Sequence, residues 1–194
     1  MDSTAWDRRY TGAEFEWTTE PNRFVVEQTT GLTPGRALDL GTGEGRNAVW
    51  LAEQGWTVSG VDFSTVGLDK ARRLAHARDV RVDWTLADVR DYQPEPSAFA
   101  LVLVAYLHLP SAELPRVLDR AASAVATKGT LLVIGHDLTN LTAGVGGPPD
   151  PDVLYTPEGI VAALPALRIE RAERLRRPLQ QGEAIDTLVR ATRT

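Results

Sequence analysis

An apolar run at residues 36–40 breaks into three glycines at alternate positions, Gly41, Gly43 and Gly45, and leads into an apolar-periodic stretch at residues 47–54 that Gly55 ends. Lacking Cβ atoms, glycines between a strand and a helix permit a tight turn and let a ligand approach the backbone, and the helix start behind them offers free N–H groups. Nucleotide binders of many kinds share such a turn, so by itself it selects an α/β architecture and not a reaction.

The rest of the chain keeps the alternation that this turn demands. Residues 57–62 read as a second strand, and Ser64 as the N-cap of a helix running to about His76. Residues 80–86 place Val80, Val82, Trp84 and Leu86 at a strand's period of two. Residues 99–105 are almost wholly apolar, as in a central parallel strand covered on both faces. A helix is predicted at 111–126, with Leu114, Val117, Leu118, Ala121, Ala122 and Val125 on one stripe, and a buried strand at 129–136. The order is that of a doubly wound α/β sheet. Residues 140–152 are rich in Gly and Pro and predict a loop. Thr156, Pro157 and Glu158 predict the start of a short helix: cap, first-turn proline, acid near the positive end. Residues 167–175 and 184–191 read as extended, although the first also fits a helical stripe.

A length of 194 residues suits one domain. Within it, residues 1–30 form an N-terminal cap or lid, 35–137 the cofactor-binding core, and 138–194 a substrate loop with the C-terminal strands. With 21 basic against 26 acidic residues, the net charge of -5 disfavours a nucleic-acid partner. The densest basic stretch, residues 168–177, is interrupted by Glu170 and Glu173 and reads as a solvated face. The absence of cysteine excludes disulfides, thiolate nucleophiles and Cys-based zinc sites, and His76, His108 and His136 are too dispersed to suggest a metal site. The N-terminus lacks the basic and apolar segments of a signal peptide, and the longest apolar run, 98–109, is too short to span a bilayer. The expectation is a cytoplasmic protein with a small-molecule substrate and no membrane partner.

Three acids sharpen the glycine turn. Asp39 lies inside it, beside the first glycine. A carboxylate there repels a dinucleotide pyrophosphate and suits a ligand carrying an ammonium and a sulfonium. Arg46 takes the place of the third glycine of the dinucleotide fingerprint. Asp62 ends the second strand, where an acid can hold both hydroxyls of a ribose. Asp88 follows the third strand and could accept from an adenine amino group, or serve as a turn aspartate. A nicotinamide-dependent reductase is the alternative enzyme, opposed by Asp39 and by the lack of a Tyr-x-x-x-Lys pair. A non-catalytic nucleoside-binding module is the other.

Leu38-Asp39-Leu40-Gly41-Thr42-Gly43-Glu44-Gly45, Gly60-Val61-Asp62-Phe63-Ser64 and Ala87-Asp88-Val89 resemble the cofactor motifs of class I S-adenosylmethionine-dependent methyltransferases. Gly45-Arg46-Asn47-Ala48, with Trp6-Asp7-Arg8-Arg9-Tyr10 and Thr19-Glu20-Pro21-Asn22, is similar to the small-molecule branch that includes tellurite-resistance and thiopurine-type enzymes. The resemblance implies a Rossmann-like, mostly parallel seven-stranded sheet with helices on both faces and an antiparallel last strand. It places Asp39, Gly41 and Gly43 by the methionine portion of S-adenosylmethionine, Asp62 on the ribose, Asp88 on the adenine and Phe63 against the adenine face. Leu40, Thr42, Arg46, Asn47, Ser64, Ala87 and Val89 would line the same cofactor site, and Ala105 and Tyr106 would pass near the sulfonium. No Asn-Pro-Pro-Tyr or Asp-Pro-Pro-Tyr follows the fourth strand, where Ala105-Tyr106-Leu107-His108-Leu109-Pro110 stands. That departure argues against DNA adenine or glutamine methylation.

A sulfonium methyl is already activated, so alignment and exclusion of water carry most of the catalysis. The acceptor atom could be sulfur, oxygen, nitrogen or a chalcogen; a phenol or hydroxyl would gain from a general base, a soft sulfur, selenium or tellurium nucleophile much less. His108 and His136, both predicted at the ligand edge of the sheet, are the base candidates, with Asp137 next to His136 as its orienting group. Tyr10, Trp17 and Tyr155 are candidates for a lid or for substrate contact.

Overall fold

The computed structural model describes residues 3–12, 14–16 and 18–194. Seven strands make one sheet: β1 (Arg36–Leu40), β2 (Thr57–Asp62), β3 (Val82–Leu86), β4 (Phe99–Ala105), β5 (Val125–His136), β6 (Arg168–Leu179) and β7 (Gly182–Thr192). Their spatial order is β3-β2-β1-β4-β5-β7-β6. The first five are parallel, β7 runs antiparallel to β5, and β6 antiparallel to β7. The helices are α1 (Ser3–Thr11), α2 (Arg23–Thr29), α3 (Arg46–Glu53), α4 (Thr65–Ala77), α5 (Leu114–Ala124), α6 (Asn140–Ala143) and α7 (Pro157–Ala162). Among the described residues, no helix is long and apolar enough to cross a membrane.

Side-chain alternation along the buried strands builds two apolar layers. Leu38, Leu40, Val102, Val104, Leu131, Val133 and Val189 pack on one face against Val117, Leu118 and Ala121 of α5 and Ile160 of α7. Ala37, Leu101, Leu103, Leu132, Ile134 and Leu188 pack on the other against Phe24 and Val25 of α2 and Ala48 and Leu51 of α3. The strand order reverses between β1 and β4, and the crevice at the carboxyl ends of these neighbours is where open α/β sheets bind ligands.

Local chemistry sets the element ends. Ser64 caps α4 by accepting from Gly67 N at 3.0 Å, and Thr156 caps α7 by accepting from Gly159 N at 3.0 Å. Helix α5 is shorter than the predicted 111–126. Pro110 O accepts from Glu113 N and Leu114 N in a turn before it, and Val125 leaves for extended backbone, pairing with Phe99 as β5 begins. Strand β3 begins at Val82, two residues later than its alternation suggested. Residues 140–152 are not wholly a loop. The Asp137 carboxylate accepts from Thr139 N at 2.8 Å and Thr139 Oγ1 at 2.6 Å, and α6 starts on that turn; a 3-10 turn at Pro151–Val153 follows. The ambiguous 167–175 segment belongs to strand β6, an outer strand that pairs antiparallel with β7 on its inner side.

Gly45 shows how tightly the first loop is set. It takes φ +81°, and a Cβ there would lie 2.7 Å from Ala71 Cβ and 2.8 Å from the Trp84 ring. Gly45→Ala should therefore lose about 2–4 kcal/mol of stability from backbone strain and overpacking together. Urea unfolding with an unchanged slope checks this; a loss under about 0.5 kcal/mol would show that the loop relaxes freely.

Candidate active site

The glycine loop and the end of β2 are built as one unit. Gly41 N and Thr42 N both donate to Val61 O, at 2.9 and 3.0 Å. Asp62, at the tip of β2, then accepts from Gly43 N at 2.7 Å through Oδ2 and from Ser64 N at 2.9 Å through Oδ1. Burial pushes the Asp62 carboxyl above its ordinary range, and the backbone N–H groups of Ser64, Gly43 and Phe63 counter that only in part. Asp39 is 1 % exposed, and among the described side chains only Thr42 Oγ1 donates to it, at 2.7 Å. Burial pushes its carboxyl up to about 7; Asp62 adds to the rise, while Thr42 and Arg46 oppose it. Arg46 opens α3 beside these acids, and burial lowers its own guanidinium pKa.

The N-terminal segment lies over this loop. Tyr10 is buried, its hydroxyl so close that a Cβ on Gly43 would stand 2.9 Å from it, and Trp6 stacks on its ring at 5.3 Å. Burial raises the Tyr10 phenol well above its usual range, with the Asp62 and Glu44 charges adding to that. Asp7 Oδ1 accepts from Ser64 Oγ at 2.5 Å. The Glu44 carboxylate accepts from Glu16 N at 2.9 and 3.0 Å and from Lys70 Nζ at 2.9 Å. Lys70 and Glu44 are 5 % and 4 % exposed, so this is a buried ion pair that pins the strap to the loop.

Beyond Gly41, the turn after β4 carries a second cluster. Tyr106 adopts φ +57°, a costly conformation for an aromatic residue that its surroundings must enforce. Its hydroxyl donates to Asp186 Oδ2 at 2.8 Å and accepts from Asn22 Nδ2 at 3.1 Å. Arg177 Nε donates to the same Asp186 oxygen at 2.7 Å, and its guanidinium lies 5.6 Å from the centre of the Tyr106 ring. The His136 ring meets Tyr106 edge-on at 5.1 Å and stacks with His108 at 5.5 Å. Burial alone would raise the Asp186 pKa, but His136 and Arg177 outweigh it and hold the carboxyl below its usual value. His108 places Nδ1 2.8 Å from Val153 O, so that nitrogen is the protonated one, and burial lowers the ring's pKa to about 4.

The structure thus places Asp39, Gly41, Thr42, Gly43, Arg46, Asp62, Ser64, Tyr10 and Tyr106 around the carboxyl ends of β1, β2 and β4, with His108 beyond them and His136 at the end of β5. Phe63 and Ala87 are half-buried at the ends of β2 and β3, while Leu40 and Val89 are core side chains. Asn47 is tied into the scaffold, accepting from Asn22 N at 2.9 Å. Ala105 ends β4, directly before Tyr106. Asp88 is held by Arg90, which donates to both carboxylate oxygens and lowers its pKa.

Two expectations need correction. Asp137 does not orient His136: its carboxylate turns away to Thr139, Thr187 and Arg174, and Asp186 faces the imidazole instead. Tyr155 is no lid. It is 1 % exposed, packs against Gly135 where a Cβ would clash, and donates its hydroxyl to Leu107 O. Trp17 lies outside the described residues. Sequence reasoning missed Asp7, Asn22, Glu44, Lys70, Arg177 and Asp186. For Asp186 a signal existed, an acid inside the apolar alternation of residues 184–191.

Comparison with known proteins sets the chain beside methyltransferases. Residues 37–129 match a family described as a methyltransferase domain. The chain is 33% identical over 125 residues to the demethylmenaquinone methyltransferase of Thermus thermophilus, covering 63% of this chain and 55% of that one; it spans about half the length of this relative. Among solved structures, one described as "Conversion of a Disulfide Bond into a Thioacetal Group during Echinomycin Biosynthesis" superposes with a TM-score of 0.78 at 20% identity, covering 98% of this chain and 92% of that one. TehB from Haemophilus influenzae superposes with a TM-score of 0.77 at 15% identity, covering 99% and 67%. The resemblance to class I S-adenosylmethionine-dependent methyltransferases is borne out, and the fold likeness extends to the tellurite-resistance type.

The Glu44–Lys70 pair carries a stability prediction. Lys70→Met would remove the ammonium partner of a buried carboxylate and should cost about 3–5 kcal/mol. Urea unfolding measures the loss, and faster tryptic cleavage after Arg8 and Arg9 reports release of the strap. A fold as stable as the wild type, with unchanged cleavage, would show that the pair does not hold the strap.

Proposed function

We propose that this chain transfers a methyl group from S-adenosylmethionine to a small-molecule acceptor in the crevice between β1 and β4. The observation that carries the reading is Asp39. It is a buried carboxylate with a single side-chain donor, in a glycine turn, and burial has raised its pKa to about 7. Such a group is under-compensated in the empty protein and gains most from a cation beside it. The ammonium and sulfonium of S-adenosylmethionine supply that cation, whereas a pyrophosphate would be repelled.

The other residues fit the same ligand. Each Asp62 oxygen accepts one backbone N–H and keeps lone-pair capacity for the ribose hydroxyls. Arg46, near Asp39 and Tyr106, would neutralise the donor's carboxylate. Phe63 would cover the adenine, and Asp88 would accept from its amino group while still held by Arg90. When bound, the donor supplies a methyl on a positively charged sulfur, poised for in-line displacement. The chain's contribution is to orient the acceptor and keep water out. Tyr10 and Trp6 close the donor side, and Gly147, whose Cβ would lie 2.9 Å from the His136 ring, closes the acceptor side.

Asp62→Ala should weaken binding of the demethylated product, S-adenosylhomocysteine, by about 1.5–3 kcal/mol, because a charged acceptor is lost. Calorimetry on the folded variant checks this, and an unchanged affinity would misplace the ribose. Asp39 gives a pH signature. Its folded pKa lies above its unfolded one, so it favours the free fold at low pH and costs stability as pH rises through about 7. A bound cation reverses this by holding the carboxylate ionised. S-adenosylmethionine should therefore bind more tightly at pH 8 than at pH 6, releasing roughly half a proton at pH 7. Calorimetry in buffers of different ionisation enthalpy reads the proton, and Asp39→Asn should abolish its release. Proton release that persists in Asp39→Asn would assign it to another group.

A further inference from the structure

Resting on that reading, we infer that the attacking atom of the acceptor is a hydroxyl oxygen, which His136 deprotonates while Asp186 positions its ring. The inference stands on a cross-strand pairing. In the antiparallel register of β5 and β7, His136 and Asp186 are direct partners. Their side chains share the sheet face that carries Ile134 and Leu188, at the edge where the crevice opens. His136 Nδ1 is buried and lies 3.3 Å from Asp186 Oδ1, not yet aligned as a hydrogen bond. Base-to-orienter bonds of this kind are commonly long in empty enzymes and tighten around bound substrate.

Asp186 is built for such a role. It has no exposed side-chain surface, and it is fixed from two further elements, by the Tyr106 hydroxyl and by Arg177. The short bonds from Tyr106 and Arg177 Nε go to Oδ2, and Oδ1, which Arg177 Nη2 reaches only at 3.5 Å, faces the imidazole. An acid at Nδ1 holds the proton there and presents the Nε2 lone pair, the arrangement of an oriented general base. Nε2 of His136 has no hydrogen-bond partner among the described residues, and the ring keeps 14 % of its side-chain surface exposed.

The groups facing His136 come from every side. Asp186 lies across on β7, and Tyr106 and His108 on the turn after β4. Arg177, on β6, is neutralised by Asp186, and uncharged Gly147 covers the ring. His108 cannot take the same part. Its Nε2 is buried without a partner, and burial makes it too weakly basic to accept a proton at neutral pH. Its neutrality also spares His136 a charged neighbour.

In the step itself, the acceptor O–H bond breaks toward His136 Nε2 as the oxygen–carbon bond to the methyl forms. The carbon–sulfur bond breaks and its electron pair stays on sulfur, which leaves as a neutral thioether. The positive charge passes to the imidazolium beside Asp186, and solvent removes the proton. A thiol or chalcogen anion would not need this machinery, because it is nucleophilic without a base.

The test has two arms. In the first, nitrogen-resolved NMR titrates His136 in the S-adenosylhomocysteine complex. The expected neutral tautomer carries its proton on Nδ1, and Asp186→Asn should weaken that preference by removing the carboxylate that holds the proton. A proton on Nε2, or a tautomer balance indifferent to Asp186→Asn, overturns the inference without any acceptor being known; the wild-type tautomer decides it if that variant does not fold. In the second arm, release of S-adenosylhomocysteine is followed with a graded series of phenols and with thiophenol. His136→Gln should slow weakly acidic phenols by at least about 100-fold. The deficit should shrink as the phenol becomes more acidic, and the acid limb of the wild-type pH profile should vanish. Methylation of thiophenol but of no phenol, or equal rates for His136→Gln and wild type, overturns it. If no probe turns over, the titration decides. Failure of the donor reading would appear separately, as no S-adenosylhomocysteine binding by calorimetry, in which case the titration is run on the free protein.

Discussion

The site depends first on one carboxylate. Asp62 accepts a backbone N–H from the loop after β1 and another from the start of α4, so a single side chain fixes two neighbouring loops to each other. Buried charge-assisted bonds of this kind are short and directional, and the loops they hold have little freedom left. The glycine turn, the α4 cap and the Asp7 contact to Ser64 all take their positions from that clamp. The same carboxylate is the group proposed to hold a ribose, so scaffold and recognition share one residue.

A second constraint comes from the far side of the sheet. β7 enters between β5 and β6 in the opposite direction, and its acid at position 186 lands beside His136 and within reach of Arg177 and Tyr106. The strained backbone at Tyr106 is held by this network, whose hydroxyl bonds to Asp186 and Asn22 reach elements far away in the chain. Strain that survives only because the surroundings over-determine it is a common mark of a working site. The titratable groups are also divided: the carboxylates Asp39 and Asp62 lie in the half proposed for the donor, and the imidazoles in the half proposed for the acceptor.

Much of the fold was legible in sequence because it is locally coded. Runs at 36–40, 57–62 and 99–105 are strands with those bounds, and the almost unbroken apolar run at 99–105 is a central parallel strand covered on both faces. Ser64 and Thr156 cap the helices they were expected to cap. The errors came where tertiary pairing competes with local preference. Val125 carries a helical stripe in sequence but serves as a strand residue, because Phe99 offers it a partner.

For the site, the chain's own order of residues determined the glycine turn, its two acids and the alternation of strands and helices around them. These depend on neighbours a few positions apart, or on a period that any observer of the sequence can count. Only the folded structure decided that Asp186 and not Asp137 faces His136, that Tyr155 belongs to the core, and that Glu44 and Lys70 pin the strap. Those outcomes follow from strand register and from burial. A pairing between residues 50 positions apart has no local energy to announce it until the sheet brings the two side chains onto one face.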